Sequence, residues 1–197
     1  MPSSLPTFVL GYHGCDKKVG EKILSGKANL NFSENNYDWL GNGIYFWEND
    51  PTRAIDYAKS IKDNPERGNI KEPFVIGAVI DLGHCLNLLE CNSLQVLKQG
   101  YVLLKKALEK SQIPLPENLH PLHEENDLLL RNLDNAVITM VHTYNKESNS
   151  LEYDSVRAAF WEGEDLYPNA GFKEKNHIQI CVRNKKCVKG LFRVNKS

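Results

Sequence analysis

The sequence predicts an α+β fold, and three observations carry that reading. Phe74-Val75-Ile76-Gly77-Ala78-Val79-Ile80-Asp81 is an apolar, β-branched run of strand length. Strand-like segments also lie near both ends, at 8–13, 178–183 and 188–194. Between them, the stretch 93–145 changes period. Leu94, Leu97, Tyr101, Leu104 and Leu108 recur at helical spacing, as do Leu129, Leu133, Val137, Met140 and Val141.

The elements follow in order. Residues 8–13 form the first strand. Asp16 caps a helix through Ser25, with Val19, Ile23 and Leu24 on one face and Gly26 ending it. Residues 30–33 read as a second short strand, followed by a polar loop through Trp39. The strand 43–47 is entered through Gly41 and Gly43. Asp50-Pro51 then opens a helix, as a capping carboxylate with proline at the first helical position. Ala54, Tyr57, Ala58 and Ile61 continue it. Residues 64–73 are a charged, turn-rich connection, and the Pro-rich link 113–121 separates the two helices of 93–145. The last two strands read as a hairpin turned at Asn184-Lys185-Lys186.

Bulk properties narrow the classes of function. A chain of 197 residues predicts one domain able to bury a core without staples, with 93–145 as a helical insertion. A formal net charge of −1 argues against a strongly basic nucleic-acid binder, though not against a local basic groove. Five cysteines and no secretory leader in residues 1–6 predict a reducing, cytoplasmic setting. Cys85/Cys91 and Cys181/Cys187 share a spacing that zinc sites do not use, so no metal is expected. His84, His120, His123 and His142 have no partners suggesting a metal or a relay, and His120-x-x-His123 reads as solvated. No apolar run approaches the roughly 18–20 residues of a membrane span, so no membrane partner is expected.

Two motifs carry the chemistry. Gly11-Tyr12-His13-Gly14 ends the first strand, and Gly41-Asn42-Gly43-Ile44-Tyr45-Phe46 enters a second, followed by Trp47-Glu48-Asn49-Asp50-Pro51. Glycines at a strand approach mark close backbone contact. Together the motifs predict a cleft that grips a ring-bearing cofactor. This pair resembles the cofactor site of the ADP-ribosyltransferases of the poly(ADP-ribose) polymerase and diphtheria-toxin group. The late strands are similar to that group's third-residue region, and 160–182 resembles a bacterial branch of small toxin-like proteins.

The resemblance implies a split β-sheet with flanking helices and NAD as substrate, with no metal. His13 would donate to an adenosine-ribose hydroxyl, Gly14 would bind the carboxamide through its backbone, and Tyr45 would stack on the nicotinamide ring. The third position, usually glutamate, falls on Gln179, or on His177 under a two-residue shift. Nicotinamide leaves the ribose through an oxocarbenium-like transition state, which a nearby carboxylate stabilises. Glutamine brings no charge. Glu162, in the loop before the last strands, is the alternative carboxylate. Ser33 and Arg53 are further cofactor-contact candidates, Arg53 for a phosphate.

The reaction implied is mono-ADP-ribosyl transfer to a protein or nucleic-acid acceptor, with a toxin or defence role and an antitoxin or immunity partner. An NAD glycohydrolase, or an inactive NAD- or ADP-ribose-binding module, is the alternative. Trp161, Tyr167 and Phe172 with Lys173, Lys175, Arg183, Lys185 and Lys186 offer the stacking and phosphate contacts a nucleic acid needs.

Overall fold

The computed structural model describes residues 8–120 and 127–195. The leading residues 1–6, Pro121 and His123 lie outside the described residues. The chain folds as α+β around a mixed seven-stranded sheet of order β4-β7-β8-β2-β1-β3-β9. The strands are β1 (Phe8–Asp16), β2 (Ile44–Glu48), β3 (Pro73–Asp81), β4 (Cys85–Asn87), β7 (Ser155–Phe160), β8 (His177–Val182) and β9 (Val188–Arg193). A two-residue ribbon, β5 (Asn118–Leu119) with β6 (Leu130–Arg131), stands apart. The helices are α1 (Lys17–Leu24), α2 (Pro51–Asp63), α3 (Cys91–Lys110) and α4 (Asn132–Glu147).

Local chemistry sets these boundaries. The Asp16 carboxylate accepts from the Lys18 amide and starts α1, and Asp50 accepts from the Arg53 amide and starts α2 ahead of Pro51. Val19 of α1 points outward, so only Ile23 and Leu24 of the expected face reach the core. Residues 30–33 do not form a strand. Ser33 makes one isolated bridge to Gly43.

Strand alternation gives the sheet two differently filled faces. One buries Cys15, Phe46, Ile76, Ala78, Ile80, Ile180 and Val182 beneath α1. The other divides. Trp47 and Val75 pack under Ala54 of α2, while Val156, Ala158, Phe160 and Cys181 pack under Ile138 and Val141 of α4. α4 is therefore part of the core, and α3 lies against it, with Gly100 admitting the Val141 side chain and the Val137 carbonyl.

Two expectations are corrected. The last two strands do not form a hairpin: β8 lies between β7 and β2, and β9 pairs with β3 at the far edge. From Val182 to Val188 the chain can reach at most about 20 Å. Four strand spacings across a flat sheet are about 19 Å, and the connection includes a 3-10 turn at Lys185–Cys187. The sheet must therefore curl around its inner core. Nor is the sheet divided into two. It is one hydrogen-bonded unit, and its shortest ladder is the junction of β1 with β2, paired at Gly11–Glu48 and Tyr12–Trp47.

Candidate functional site

That junction is where the two sequence motifs meet. β1 pairs with β3 along its whole length but leaves β2 after Tyr12. Continuing the register would pair Gly14 with Tyr45. Instead the His13 ring takes the Tyr45 carbonyl, Nδ1 to O 2.8 Å. An imidazole stands where a ladder bond would be, and the strands part around it. The Asn49 amide donates to the Leu10 carbonyl, so Leu10, Tyr12 and Gly14 turn their amide groups toward β2. Beyond Tyr12 this aims the Gly14 backbone at the opening.

Burial holds the His13 imidazole below its ordinary pKa, partly opposed by the bond to Tyr45. At neutral pH the ring is uncharged. Nδ1–H donates to the carbonyl, and Nε2 carries the lone pair. With Nδ1–H spent on the carbonyl, the neutral His13 ring has an acceptor left at Nε2 and not the donor that the resemblance implied.

The side chain of Tyr45 lies on the opposite sheet face from His13. Its hydroxyl donates to the Gly41 carbonyl (2.6 Å) and accepts from the Leu40 amide (2.8 Å), and its ring packs on the α4 side of the core. Burial raises its pKa. Tyr45 thus anchors the glycine approach to β2. Gly14 has a packing duty too, since a Cβ there would sit 2.2 Å from the Ala54 carbonyl oxygen of α2. Ser33 exchanges backbone bonds with Gly43, and its hydroxyl accepts from Asn35. The loop before β2 is held from α4, where the Asn135 amide donates to the Asn35 and Asp38 carbonyls.

Beside the opening, β2 and β8 form a polar strip between α2 and α4. Gln179 is partly exposed and lies opposite Trp47 on one side and Ala158 on the other. His177 is buried, its ring near Trp39 and Phe160, with Nδ1 donating to the Lys175 carbonyl. Burial, reinforced by Arg53 and Arg131, lowers its pKa to about 4. Gln179 is the more accessible of the two third-position candidates.

Glu162 continues the β7–β8 ladder, pairing its carbonyl with the Lys175 amide, so alternation puts it on the same face as Gln179. Its carboxylate meets Arg53 of α2 at 2.9 Å, and both side chains are only 15% exposed. A loop acid whose ordinary place is solvent is instead drawn against α2.

Trp47 and Tyr57 were not singled out as site residues by their sequence, yet they define this strip. Their rings lie 5.0 Å apart, tilted by 43°, with Trp47 buried and Tyr57 38% exposed. Their signal was position: Trp47 shares the β2 face of Tyr45, and Tyr57 lies one helical turn beyond Arg53. Trp47 Nε1, Arg53 Nε and His177 Nε2 are each buried without a hydrogen-bond partner. Orphaned polar atoms of this kind are rare in folded interiors.

Over 194 aligned residues the chain is 25% identical to an uncharacterized protein of Methanocaldococcus jannaschii, covering 91% of this chain and 84% of that one. No family model matches the chain. No solved structure matches it. Among the described residues no helix is long and apolar enough to cross a membrane, and no group of three or more His, Cys, Asp or Glu is placed to hold a metal ion.

Proposed function

We propose that the protein is an NAD-dependent mono-ADP-ribosyltransferase working at the β1–β2 opening. The observation that carries this is the His13–Tyr45 bond. It joins the two motifs at the point where the sheet parts and turns the Gly14 backbone toward the gap. A strand edge with an N–H and a C=O suits a carboxamide, which needs one acceptor and one donor. The neutral His13 ring accepts a ribose hydroxyl at Nε2. The partly exposed Tyr57 ring offers a flat surface for a heteroaromatic ring, while Tyr45 holds the loop that shapes the entrance.

Cleavage develops positive charge at the ribose C1′. Gln179 orients the 2′-hydroxyl without adding charge. Glu162 lies on the same face, where the β7–β8 ladder continues opposite Lys175, and supplies the carboxylate charge. The acceptor is a protein or a nucleic acid, met by the exposed aromatic loop of Trp161, Tyr167 and Phe172. Cytoplasmic action as a toxin-like effector with an immunity partner belongs to the same proposal.

The neutral Gln179 favours a second reading, an NAD-binding module or glycohydrolase. Incubation with NAD labelled in the nicotinamide and, separately, in the adenylate separates them. Transfer releases nicotinamide and leaves adenylate label on macromolecules. Hydrolysis releases nicotinamide with free ADP-ribose. A module binds NAD and releases neither.

A further inference from the structure

A second site lies on the other side of the glycine approach. Thr139, His142, Thr143 and Lys146 follow one another at helical spacing along one face of α4. With Asn42, Arg183, Glu152 and Phe32 they line a solvent-open cavity of about 240 Å³. His142 is 4% exposed, and neither of its ring nitrogens has a hydrogen-bond partner. The Nε of Arg183 is buried and equally unpartnered. Buried polar groups without partners are rare in folded interiors and call for an explanation. Burial and the Arg183 charge lower the His142 pKa to about 3. The ring is neutral, with one donor and one acceptor nitrogen.

The lining has the chemistry of an anion site. Arg183 and Lys146 are cations, Glu152 is an acid, and Thr139, Thr143 and Asn42 add donors. A guanidinium fork matches phosphate oxygens. The volume is about eight waters' share of the liquid, so a ligand larger than a bare ion fits. Arg183 lies two residues beyond Cys181, the β8 partner of Tyr45, and β8 is on the far side of β2 from β1, so β2 stands between this cavity and the β1–β2 opening.

We propose that the cavity binds a phosphate monoester of sugar-phosphate size. Arg183 and Lys146 hold the phosphate, and His142 accepts and donates to hydroxyls of the ester. Asn42 sits between Gly41 and Gly43, and the Gly41 carbonyl accepts from the Tyr45 hydroxyl. The occupant therefore touches the loop that Tyr45 anchors.

Calorimetric titrations of the full chain with ribose 5-phosphate, inorganic phosphate and ribose test this. Ribose 5-phosphate should bind more tightly than inorganic phosphate, and ribose should not bind. Arg183→Met should weaken binding by about tenfold or more, the scale of a lost charged hydrogen bond. Lys146→Met, at an exposed position that does not threaten folding, should weaken it by about threefold. His13→Ala should leave it unchanged. Absence of ribose 5-phosphate binding would overturn the proposal, as would equal affinity for inorganic phosphate. Affinity that survives both Arg183→Met and Lys146→Met, or falls only in His13→Ala, overturns it too.

Discussion

The two edges of β1 are built differently. Toward β3 the strand is paired over nine residues, from Phe8–Asp81 to Asp16–Pro73. Toward β2 it is paired over two. The closed edge is apolar and regular, with Ile76, Ala78 and Ile80 fully buried beside it. The open edge has a histidine in place of a ladder bond, and the elements across it, β2, β8 and α2, hold three orphaned buried nitrogens and a mostly buried ion pair. One strand serves as scaffold on one side and as the rim of a cleft on the other. Polar groups that would be a liability in a scaffold become contacts where the ladder stops.

The sharpest way to break this contrast is at Gly14, which belongs to both edges. Gly14→Ala would drive a methyl into the Ala54 carbonyl, and backbone cannot swing aside as a side chain can. It should cost about 3 kcal/mol of stability, the upper range for overpacking, read from the urea midpoint. A near-native midpoint would mean that α2 is not seated on β1 as described. Glu162→Gln comes next. It leaves Arg53 mostly buried with a weaker partner and should cost about 2 kcal/mol, less than a fully buried pair because both side chains keep 15% of their surface in solvent. It should also depress nicotinamide release. If stability were unchanged, the carboxylate would belong to solvent after all.

Tyr45→Phe removes one hydroxyl that serves both Gly41 and Leu40. A loss of about 1.5 kcal/mol is expected in chemical denaturation, since two backbone groups lose a partner. A neutral result would return Tyr45 to the cleft as a ligand group alone.

The two polar sites together also carry a pH signature. His13, His142 and His177 all have folded pKa values below their ordinary 6.5. The unfolded chain therefore binds protons that the folded one refuses. Stability is full above about pH 6.5 and falls as pH drops, for His177 down to about 4 and for His142 down to about 3. Each contributes at most about 1.4 kcal/mol per pH unit. Urea midpoints measured from pH 7.5 to pH 4 should decline, with a shallower slope in His177→Phe. A flat profile would contradict the burial of these rings. The smallest effect belongs to the closed side. Gly190 on β9 has open space around its missing Cβ, so Gly190→Ala should stay within about 0.5 kcal/mol of wild type.

Much of this was legible in the residues. The capping carboxylates of α1 and α2 and the run that became β3 act locally, and each fell within a residue or two of its element, whereas β1 runs to Asp16, three residues past the end expected at His13. What escaped depended on distant partners. β7 is Ser155-Val156-Arg157-Ala158-Ala159-Phe160, poor in β-branched residues and made a strand by its neighbours β4 and β8. Two adjacent strands with a short link suggested a hairpin, but a curled sheet offered β9 the open edge of β3 instead. In the site, the meeting of His13 with the β2 strand followed from the motifs. The duties of Tyr45 and Gly14 did not, because the Leu40–Gly41 anchor and the Ala54 contact exist only once the chain is folded. The Arg53–Glu162 pair joins residues 109 apart in sequence and left no local trace.

The central claim is that NAD binds at the opening beside His13 and not in the α4 cavity. Calorimetric titration of NAD into wild type, His13→Ala and Arg183→Met, each checked for an intact thermal transition, tests it directly. Wild type and Arg183→Met should bind NAD, with affinity at least about tenfold weaker in His13→Ala. Equal affinity in wild type and His13→Ala, or no binding by wild type, would contradict it.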